Sequence, residues 1–444
     1  MIITTESPEY EQTRIGSMWG KRTPDRRPSA FIPATTADDV ADAVRLATTQ
    51  DLPITVRAGG HNWSGSHLRD GAVVIDVSAM DEVSVDEESM TAVAGPGVGG
   101  SILAEELDSM GLFFPAGHCR GVKLGGYLLQ GGFGWNSRAL GPACMSVNGV
   151  DVVLADGSQV HADADENADL YWAARGSGTG FFGVVTRFHL QLHHKPAVFA
   201  NAVYLFPADV LDELYRWAFA IRREVPRSVE LMLLMAKHLP GAGVPGIVLT
   251  APVFADSEAQ ARSDLAFLND CPVLDRALMS NPYFPTTLHD GYSGTMTAYP
   301  DNTRWGTDNM WTRGPIDTLV PALEAILDTM PPEPSHCLWM NWSPPADRPD
   351  MAFSVEDDIY IATYGGWQSS ADDGAYGTWA AGHMKGLEPV ATGIQLADEN
   401  LGQRPARFLS AANMARFDVI RDHYDPDRRF AGWLSRPPAD WGRA

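Results

Sequence analysis

The sequence has few cysteines, fewer basic than acidic residues and no long apolar run. Four cysteines in 444 residues, without a CxxC pair, argue against a disulfide scaffold. The 33 lysines and arginines face 56 acidic residues, and the net charge of −23 repels nucleic acid and anionic lipid surfaces. No uncharged apolar stretch is long enough to cross a bilayer, and the first residues show no secretory signal. We therefore expect a cytoplasmic protein with free thiols that binds neither nucleic acid nor membranes.

The chain is long enough for two or three domains, and its pattern changes near residue 196. Before that point, short β-branched strands alternate with glycine-rich turns and with helical segments such as 35–53. The pair Asp156–Gly157 is typical of a β-hairpin turn. After that point glycine is scarcer, and helical runs alternate with candidate strands at 335–343 and 358–367. This pattern predicts an α+β fold whose second domain has an antiparallel sheet covered by helices.

Two glycine-rich segments carry a nucleophile each. His61 lies in RAGGHNWSG (57–65), and Cys119 lies in FPAGHCRGVKLGGYLLQGGFG (114–134), which has seven glycines and no acidic residue. Glycines permit positive φ, and successive exposed backbone N–H groups form an anion-binding nest that suits a pyrophosphate. The neutral surroundings of Cys119 suit a flavin ring, to which a nearby histidine and a nearby thiolate could each bond covalently.

The glycines and histidines also allow a dinucleotide site or a metal site in place of a covalently held flavin. The segment AGPGVGGS (94–101) follows a strand and matches the G-x-G-x-x-G dinucleotide fingerprint, but the acidic residue expected about 20 positions later is missing. A metal site could use His61, His67, His118 and Cys119, but their spacing fits neither a structural zinc site nor HExxH. Both sites fit the sequence less well than a flavin site, and we expect no metal.

Several segments, in the same order along the chain, resemble the berberine-bridge-enzyme-like FAD-linked oxidases, which have the vanillyl-alcohol-oxidase fold and a PCMH-type FAD-binding domain. They are RAGGHNWSG, DGAVVIDVSAMDEVSVD, PAGHCRGVKLGGYLLQGGFG, FFGVVTRFHLQLH and HYDPDRRF. The resemblance implies FAD held by two covalent bonds, from His61 to the flavin 8α-methyl group and from Cys119 to flavin C6. It also implies an FAD-binding domain at 1–195, a substrate-binding domain at 196–400 and a C-terminal segment at 401–444 that returns to the FAD-binding domain.

The same resemblance implies a set of cofactor-binding residues along these segments. They are Arg57, Ala58, Gly59, Gly60, His61, Asn62, Gly65, Cys119, Gly125, Gly126, Gly131, Gly132, Gly134, Gly183, Val184 and Val185. The chain departs from the family pattern near its C-terminal helix, where Gly393 and Gln395 stand in place of a Tyr-x-Asn motif. The tyrosine that helps to deprotonate the substrate in many relatives is therefore missing.

The substrate base then has to come from the second domain. Tyr360 and Tyr364 fall on the same face of a predicted strand, because residues four positions apart share a side, and Trp339 and Asn341 share a face by the same period. Tyr364 is the first candidate for a base or hydrogen-bond donor, and Tyr360 and Asn341 are further candidates. Gln395 is a candidate for orienting the substrate in place of the missing asparagine. The alternative is that the aromatic side chains simply pack the sheet against helices.

The chemistry that the resemblance implies is an oxidation. A hydride moves from a substrate C–H next to oxygen or nitrogen to flavin N5, and O₂ reoxidises the flavin and becomes hydrogen peroxide. The expected substrate is a small organic molecule, a sugar or a bulky natural product. The alternatives are a dehydrogenase with another electron acceptor, a non-redox cyclase or isomerase, and a flavin-carrying paralogue without redox activity.

Overall fold

A computed structural model describes residues 2–239 and 243–438. The helices are α1 (Tyr10–Gly16), α2 (Ala37–Thr49), α3 (Gly100–Asp108), α4 (Leu124–Leu129), α5 (Ser137–Leu140), α6 (Ala168–Ala174), α7 (Leu211–Ala220), α8 (Glu258–Asp264), α9 (Leu288–Ala298), α10 (Ile316–Thr329), α11 (Asp373–Tyr376), α12 (Trp379–Gly386) and α13 (Ala411–Tyr424). The strands are β1 (Ile3–Thr4), β2 (Ala30–Pro33), β3 (Ile54–Arg57), β4 (Val73–Asp76), β5 (Val83–Asp86), β6 (Thr91–Ala94), β7 (Leu112–Phe113), β8 (Val147–Val153), β9 (Gln159–Asp163), β10 (Val184–Gln191), β11 (His193–His194), β12 (Val198–Pro207), β13 (Met232–Ala236), β14 (Gly246–Thr250), β15 (Val253–Ala255), β16 (Met279–Pro285), β17 (Arg304–Thr312), β18 (His336–Asn341), β19 (Ile359–Trp367) and β20 (Ala391–Gly393).

Helix α2 begins at a capping box and covers the first sheet. The Thr36 hydroxyl accepts a hydrogen bond from the Asp39 N–H (3.1 Å), and the Asp39 carboxylate accepts one from the Thr36 N–H (3.0 Å). The helix buries Val40 and Val44 completely. The sheet has the order β1-β2-β4-β3, with β4 parallel to both neighbours. Strand β3 ends at Arg57, so the His61 loop starts at the end of a parallel strand.

The second sheet is antiparallel, with the order β5-β6-β10-β8-β9. Strands β8 and β9 form the predicted hairpin: Gly157 has a φ of +79°, and the Leu154 N–H donates to the Ser158 carbonyl at 2.9 Å. Val150 and Val152 of β8 are buried in the apolar core. Asp151, which lies between them on the strand, points to the opposite face and is partly exposed.

The large sheet belongs to the second half of the chain. Its order is β15-β12-β14-β13-β18-β19-β17-β20, and β16 pairs with β12; all its pairs are antiparallel. Trp339 on one face packs with buried side chains of α7, α10 and α12, among them Tyr215, Leu323 and Met384. The predicted antiparallel sheet with covering helices is confirmed.

The C-terminal segment returns to the N-terminal core. Phe417 of α13 belongs to the same apolar cluster as Ile54 of β3, and the Ile54 N–H donates to the Arg429 carbonyl at 2.8 Å. The exact domain limits at residues 195 and 400 stay a prediction. Among the described helices, none has both the length and the apolar character needed to span a membrane.

Candidate active site

A cavity of about 700 Å³ lies between the glycine-rich loops of the N-terminal half and the large sheet. Residues 57–63 and 117–119 line one side, and side chains of β13, β18 and β19 line the other. A narrower cavity of about 110 Å³ adjoins it beside β10. The residues that line both cavities are Val56, Ala58, Ser66, His67, Gly126, Gln130 and Thr179. This shape suits a long ligand with a broad head and a narrow tail.

The backbone at Gly60 places His61 in the cavity wall. Gly60 has a φ of +68°, and a Cβ there would lie 2.0 Å from the Ser17 carbonyl oxygen, so only glycine fits. The Trp19 ring stacks on the His61 ring with 5.1 Å between centroids. Burial and the positive charge of Arg57 lower the pKa of His61 to about 4. The imidazole is therefore neutral, and an unprotonated ring nitrogen is available as a nucleophile.

Cys119 lies in the same cavity wall, on the loop that contacts His61. A Cβ at Gly121, two residues further on, would lie 3.0 Å from His61 Nε2, so the two loops are in contact. Burial and the negative charge of Asp398 raise the pKa of the Cys119 thiol to about 12. The sulfur is thus a protonated thiol here, which differs from the thiolate expected from the sequence, because the apolar surroundings disfavour the charged form.

Most of the predicted cofactor residues line one of the two cavities. They are Arg57, Ala58, Gly59, Gly60, His61, Asn62, Cys119, Gly125, Gly126, Gly183 and Val185. The others lie outside both walls: Gly65, Gly131, Gly132, Gly134 and Val184. Close packing explains their glycines, since a Cβ at Gly134 would lie 2.0 Å from the Ala116 carbonyl oxygen. Val184 is buried in the core instead.

Neither the dinucleotide fingerprint nor the four-residue metal site finds support in the described structure. Gly95 and Gly97 of the G-x-G-x-x-G segment pack against backbone: a Cβ at Gly95 would lie 2.1 Å from the Met80 carbonyl oxygen. The histidines of the metal site have separate partners. His67 Nε2 is 2.9 Å from the Ser17 hydroxyl, and His118 Nε2 is 3.0 Å from a Glu230 carboxylate oxygen.

The catalytic residues predicted on β18 and β19 separate into two groups. Tyr360 and Tyr364 line the cavity, as does Gln395. Asn341 does not, and its prediction is wrong: its Nδ2 donates to the Ala218 carbonyl at 2.9 Å, and its Oδ1 accepts from Trp339 Nε1 at 2.7 Å. Alternation along β18 turns Leu338 and Met340 towards the cavity and Asn341 towards α7.

Asp398, which the sequence patterns did not single out, is the acceptor at the centre of the site. Its Oδ2 accepts hydrogen bonds from the hydroxyls of Tyr360 (2.5 Å) and Tyr364 (2.9 Å), and its Oδ1 accepts from Trp63 Nε1 (2.7 Å). Burial raises the pKa of Asp398 above that of an ordinary aspartate. Burial and the Asp398 charge raise the pKa of both tyrosines well above 10, so the tyrosine hydroxyls are the donors and the carboxylate is the acceptor. The sequence feature that could have indicated Asp398 is an acidic residue close to Gly393 and Gln395, which stand in place of the Tyr-x-Asn motif of the family.

A buried asparagine fixes the backbone of the segment that carries Asp398. Asn309 of β17 donates from Nδ2 to the carbonyls of Gln395 (3.0 Å) and Asp398 (2.8 Å). Its Oδ1 accepts from the Gln395 N–H at 2.7 Å. Beside it, Arg404 forms a bidentate ion pair with Asp308 (2.6 and 2.7 Å), and both side chains are buried. The carboxylate is therefore held at the cavity wall before any substrate arrives.

The two cavities fit FAD. Gly126 lines both of them, and a Cβ there would meet no atom within 4 Å, so a side chain would project into the open space. The narrow cavity is also lined by Gly178 and Gly183. Backbone N–H groups of such glycine-rich turns can bind the anionic pyrophosphate. The broad cavity holds His61 and Cys119 beside aromatic walls that suit a planar ring.

Comparisons with known proteins agree with this fit. A family model described as an FAD binding domain matches residues 28–163. The FAD-linked oxidoreductase nodO of Hypoxylon pulicicidum is 31% identical over 96% of this chain and 95% of its own length. The solved structure of 6-hydroxy-D-nicotine oxidase from Arthrobacter nicotinovorans superposes with a TM-score of 0.84 at 22% identity, covering 99% of this chain and 98% of that one. The BBE-like 1 protein of Physcomitrella patens superposes with a TM-score of 0.84 at 20% identity, covering 99% and 96%. The chain is a member of the FAD-linked oxidoreductases, and it shares with these solved structures the two-domain α+β fold of the vanillyl-alcohol-oxidase type.

Proposed function

We propose that the protein is an FAD-dependent oxidase that takes a hydride from a substrate C–H next to oxygen or nitrogen and passes the two electrons to O₂, which becomes hydrogen peroxide. One observation carries the proposal. The buried Asp398 carboxylate, with Tyr360 and Tyr364 bonded to it, lies in the same cavity as His61 and Cys119. A proton acceptor and the two candidate flavin anchors therefore share one chamber.

We further propose that FAD is bound covalently through His61 and Cys119. Each bond replaces one hydrogen on the protein and one on the flavin, so each releases two electrons and two protons, which O₂ accepts. The neutral imidazole of His61 is ready to bond. The Cys119 thiol must first lose a proton, because burial raises its pKa to about 12. We therefore expect the bond to His61 to form first.

Bound FAD supplies the two-electron acceptor for the reaction. The chain's own task is to position the substrate and accept its proton. The Tyr364 hydroxyl donates to Asp398 and still offers an oxygen lone pair to a substrate hydroxyl or amine. As the substrate C–H bond breaks, its O–H or N–H proton moves to the Tyr364 oxygen, and the tyrosine proton moves to Asp398. Tyr364 thus stays neutral throughout, in keeping with its high pKa.

The cavity wall favours a bulky and mostly apolar natural product as the substrate. Among its large apolar residues are Phe133, Trp135, Phe199, Met232, Leu234, Phe284, Trp311, Leu338 and Met340. A sugar buried against such side chains would lose hydrogen bonds to water without replacement. A polycyclic alcohol or amine instead gains from burying its ring surface and needs polar contact only at the carbon to be oxidised.

Anaerobic mixing of the holoprotein with a substrate panel tests the proposed function. The panel contains polycyclic secondary alcohols, alkaloid amines, benzylic alcohols and saccharides. We expect an apolar alcohol or amine to bleach the flavin, and air to restore the colour with one hydrogen peroxide formed per flavin. Colour restored only by an artificial dye would make the protein a dehydrogenase. Product formed without peroxide or acceptor would make it a cyclase or isomerase, and bleaching by saccharides alone would contradict the substrate class.

A further inference from the structure

Three adjacent strands bring two histidines and an aspartate together on the half-exposed face of the second sheet. Asp151 Oδ1 of β8 lies 2.8 Å from His161 Nδ1 of β9 and 3.1 Å from His189 Nε2 of β10. The three ligand atoms all lie within 4.8 Å of one another, and the two imidazole rings are nearly perpendicular. The sequence analysis weighed a metal site only at His61, His67, His118 and Cys119, and it expected no metal.

The pairing of the strands explains why these three side chains lie together. Asp151 is directly opposite His161 in the hairpin. An irregularity in the pairing of β10 between Val185 and Arg187 places Arg187 opposite Asp151 and turns His189 to the same face. Gly149 leaves space for the histidine ring, since a Cβ there would lie 3.1 Å from His161 Cε1.

A second carboxylate orients His161 from its other side. Asp163 Oδ2 lies 3.2 Å from His161 Nε2, and Asp163 Oδ1 accepts from the N–H groups of Asp165 (2.8 Å) and Glu166 (2.7 Å). A carboxylate that holds the outer nitrogen of a histidine fixes its tautomer and leaves the inner nitrogen free for a metal. The exposed Arg187 approaches only the other oxygen of Asp151, at 3.8 Å, so Oδ1 stays available.

We propose that Asp151, His161 and His189 bind one divalent transition-metal ion, for which Zn²⁺ is the best fit. Two imidazole nitrogens and one carboxylate oxygen are ligands that suit zinc better than calcium or magnesium. Bonds of about 2.0–2.1 Å in a tetrahedral site put ligand atoms about 3.3 Å apart. The two distances from Asp151 Oδ1 to the histidine nitrogens, 2.8 and 3.1 Å, differ from this value by a few tenths of an ångström, and the two histidine nitrogens lie within 4.8 Å of each other. The three side chains are each between a quarter and two fifths exposed, so they have room to adjust. Water completes the fourth position.

The ion would tie three strands together at a distance from the catalytic cavity. Neighbouring residues of the same strands, Val152 and Val185, are buried in the core on the other face, and Val185 lines the narrow cavity. Because a ligand that binds only the folded protein stabilises it, zinc should raise the thermal midpoint of the holoprotein. It should leave the rate of flavin reduction unchanged.

Calorimetric titration of chelator-treated holoprotein with Zn²⁺ tests this site. We expect one ion per chain. Loss of a residue that only orients a metal ligand weakens binding by about 10–100-fold. His161→Ala and His189→Ala each remove a ligand and should weaken binding by more than that. Asp163→Asn should weaken it within that 10–100-fold range. His194→Ala, which removes an exposed histidine outside the cluster, is the matched control and should bind like wild type.

The flavin content of each variant shows whether it has folded. X-ray absorption on zinc-loaded wild type gives a second readout that needs no variant, and it should show two imidazole ligands and oxygen ligands at about 2.0–2.1 Å. No binding by wild type, or the same affinity and stoichiometry in the His161→Ala/His189→Ala double variant, would overturn the proposal.

Discussion

The Tyr364 hydroxyl donates a hydrogen bond to Asp398 Oδ2 at 2.9 Å inside a buried, aromatic cavity. The tyrosine is the donor and the aspartate is the acceptor, because burial and the Asp398 charge raise the tyrosine pKa well above its ordinary value. The proposed base is thus Asp398, in the segment before α13, and no longer Tyr364 of β19. The aspartate should therefore end protonated, by the proton that Tyr364 gives up as it takes one from the substrate.

The first prediction concerns the attachment of FAD. The denatured wild-type protein should keep its yellow colour, and its mass should equal that of the polypeptide plus one FAD less two hydrogen atoms per bond. Cys119→Ala should keep FAD through His61 alone. Its visible spectrum should change, and its mass should correspond to one covalent bond to FAD where wild type has two. The buried Cys337→Ala, in the core of the large sheet, is the control and should keep both bonds. Release of all flavin from denatured wild type would contradict covalent attachment.

The second prediction concerns the Tyr364 hydroxyl. Hydrogen bonds to charged groups contribute about 1.5–3 kcal/mol, so Tyr364→Phe should slow flavin reduction by about 10–100-fold. Tyr215→Phe removes a buried hydroxyl that has no partner among the described residues and that packs on the far side of the sheet. Anaerobic stopped-flow should show a normal rate for this control. Equal rates in the two variants would remove Tyr364 from the proton path.

The third prediction concerns the effect of pH on flavin reduction. Asp398 accepts a proton only when ionised, and burial raises its pKa. The rate should therefore fall as pH falls through that raised pKa, at a higher pH than for an ordinary aspartate of pKa about 4. Asp398→Asn should lose this dependence and react slowly at all pH values. A wild-type rate that does not change with pH in acid would contradict the assignment.

The fourth prediction concerns stability and His336. Burial lowers the pKa of His336 to about 4, so between about pH 4 and 6.5 the unfolded chain binds a proton there that the folded chain does not. The free energy of unfolding should therefore rise with pH across this window, by up to about 3 kcal/mol from this residue. The free energy of unfolding of His336→Gln, measured with urea at several pH values, should rise less steeply with pH than that of wild type. The difference in slope should correspond to about one proton. A slope equal to that of wild type would show that the histidine is protonated in the folded state.

Features with a local cause could be predicted from the sequence. The helix within residues 35–53 and the hairpin turn at Gly157 depend on neighbouring residues, and both are present. The shared face of Tyr360 and Tyr364 follows from alternation along one strand. Alternation does not show which face of a strand the helices cover, and the prediction for Asn341 failed for that reason.

Features that depend on distant pairs could not be predicted in this way. Asp398 accepts hydrogen bonds from Trp63, 335 positions away, and from two tyrosines of another element. The cluster of Asp151, His161 and His189 depends on a local irregularity in the pairing of β10. Only the fold shows that these side chains meet.

Anaerobic stopped-flow on Asp398→Asn is the most direct test of the central claim that this carboxylate is the final proton acceptor in the oxidation of the substrate. Loss of a general base costs about 10²–10⁴-fold in rate, so flavin reduction should slow by that factor while FAD stays bound. Asp350→Asn is the matched control, because Asp350 also accepts a hydrogen bond from a tryptophan, Trp172, but lies outside the cavity. We expect its rate to equal that of wild type. A rate within a few-fold of wild type for Asp398→Asn would contradict the proposed role of Asp398.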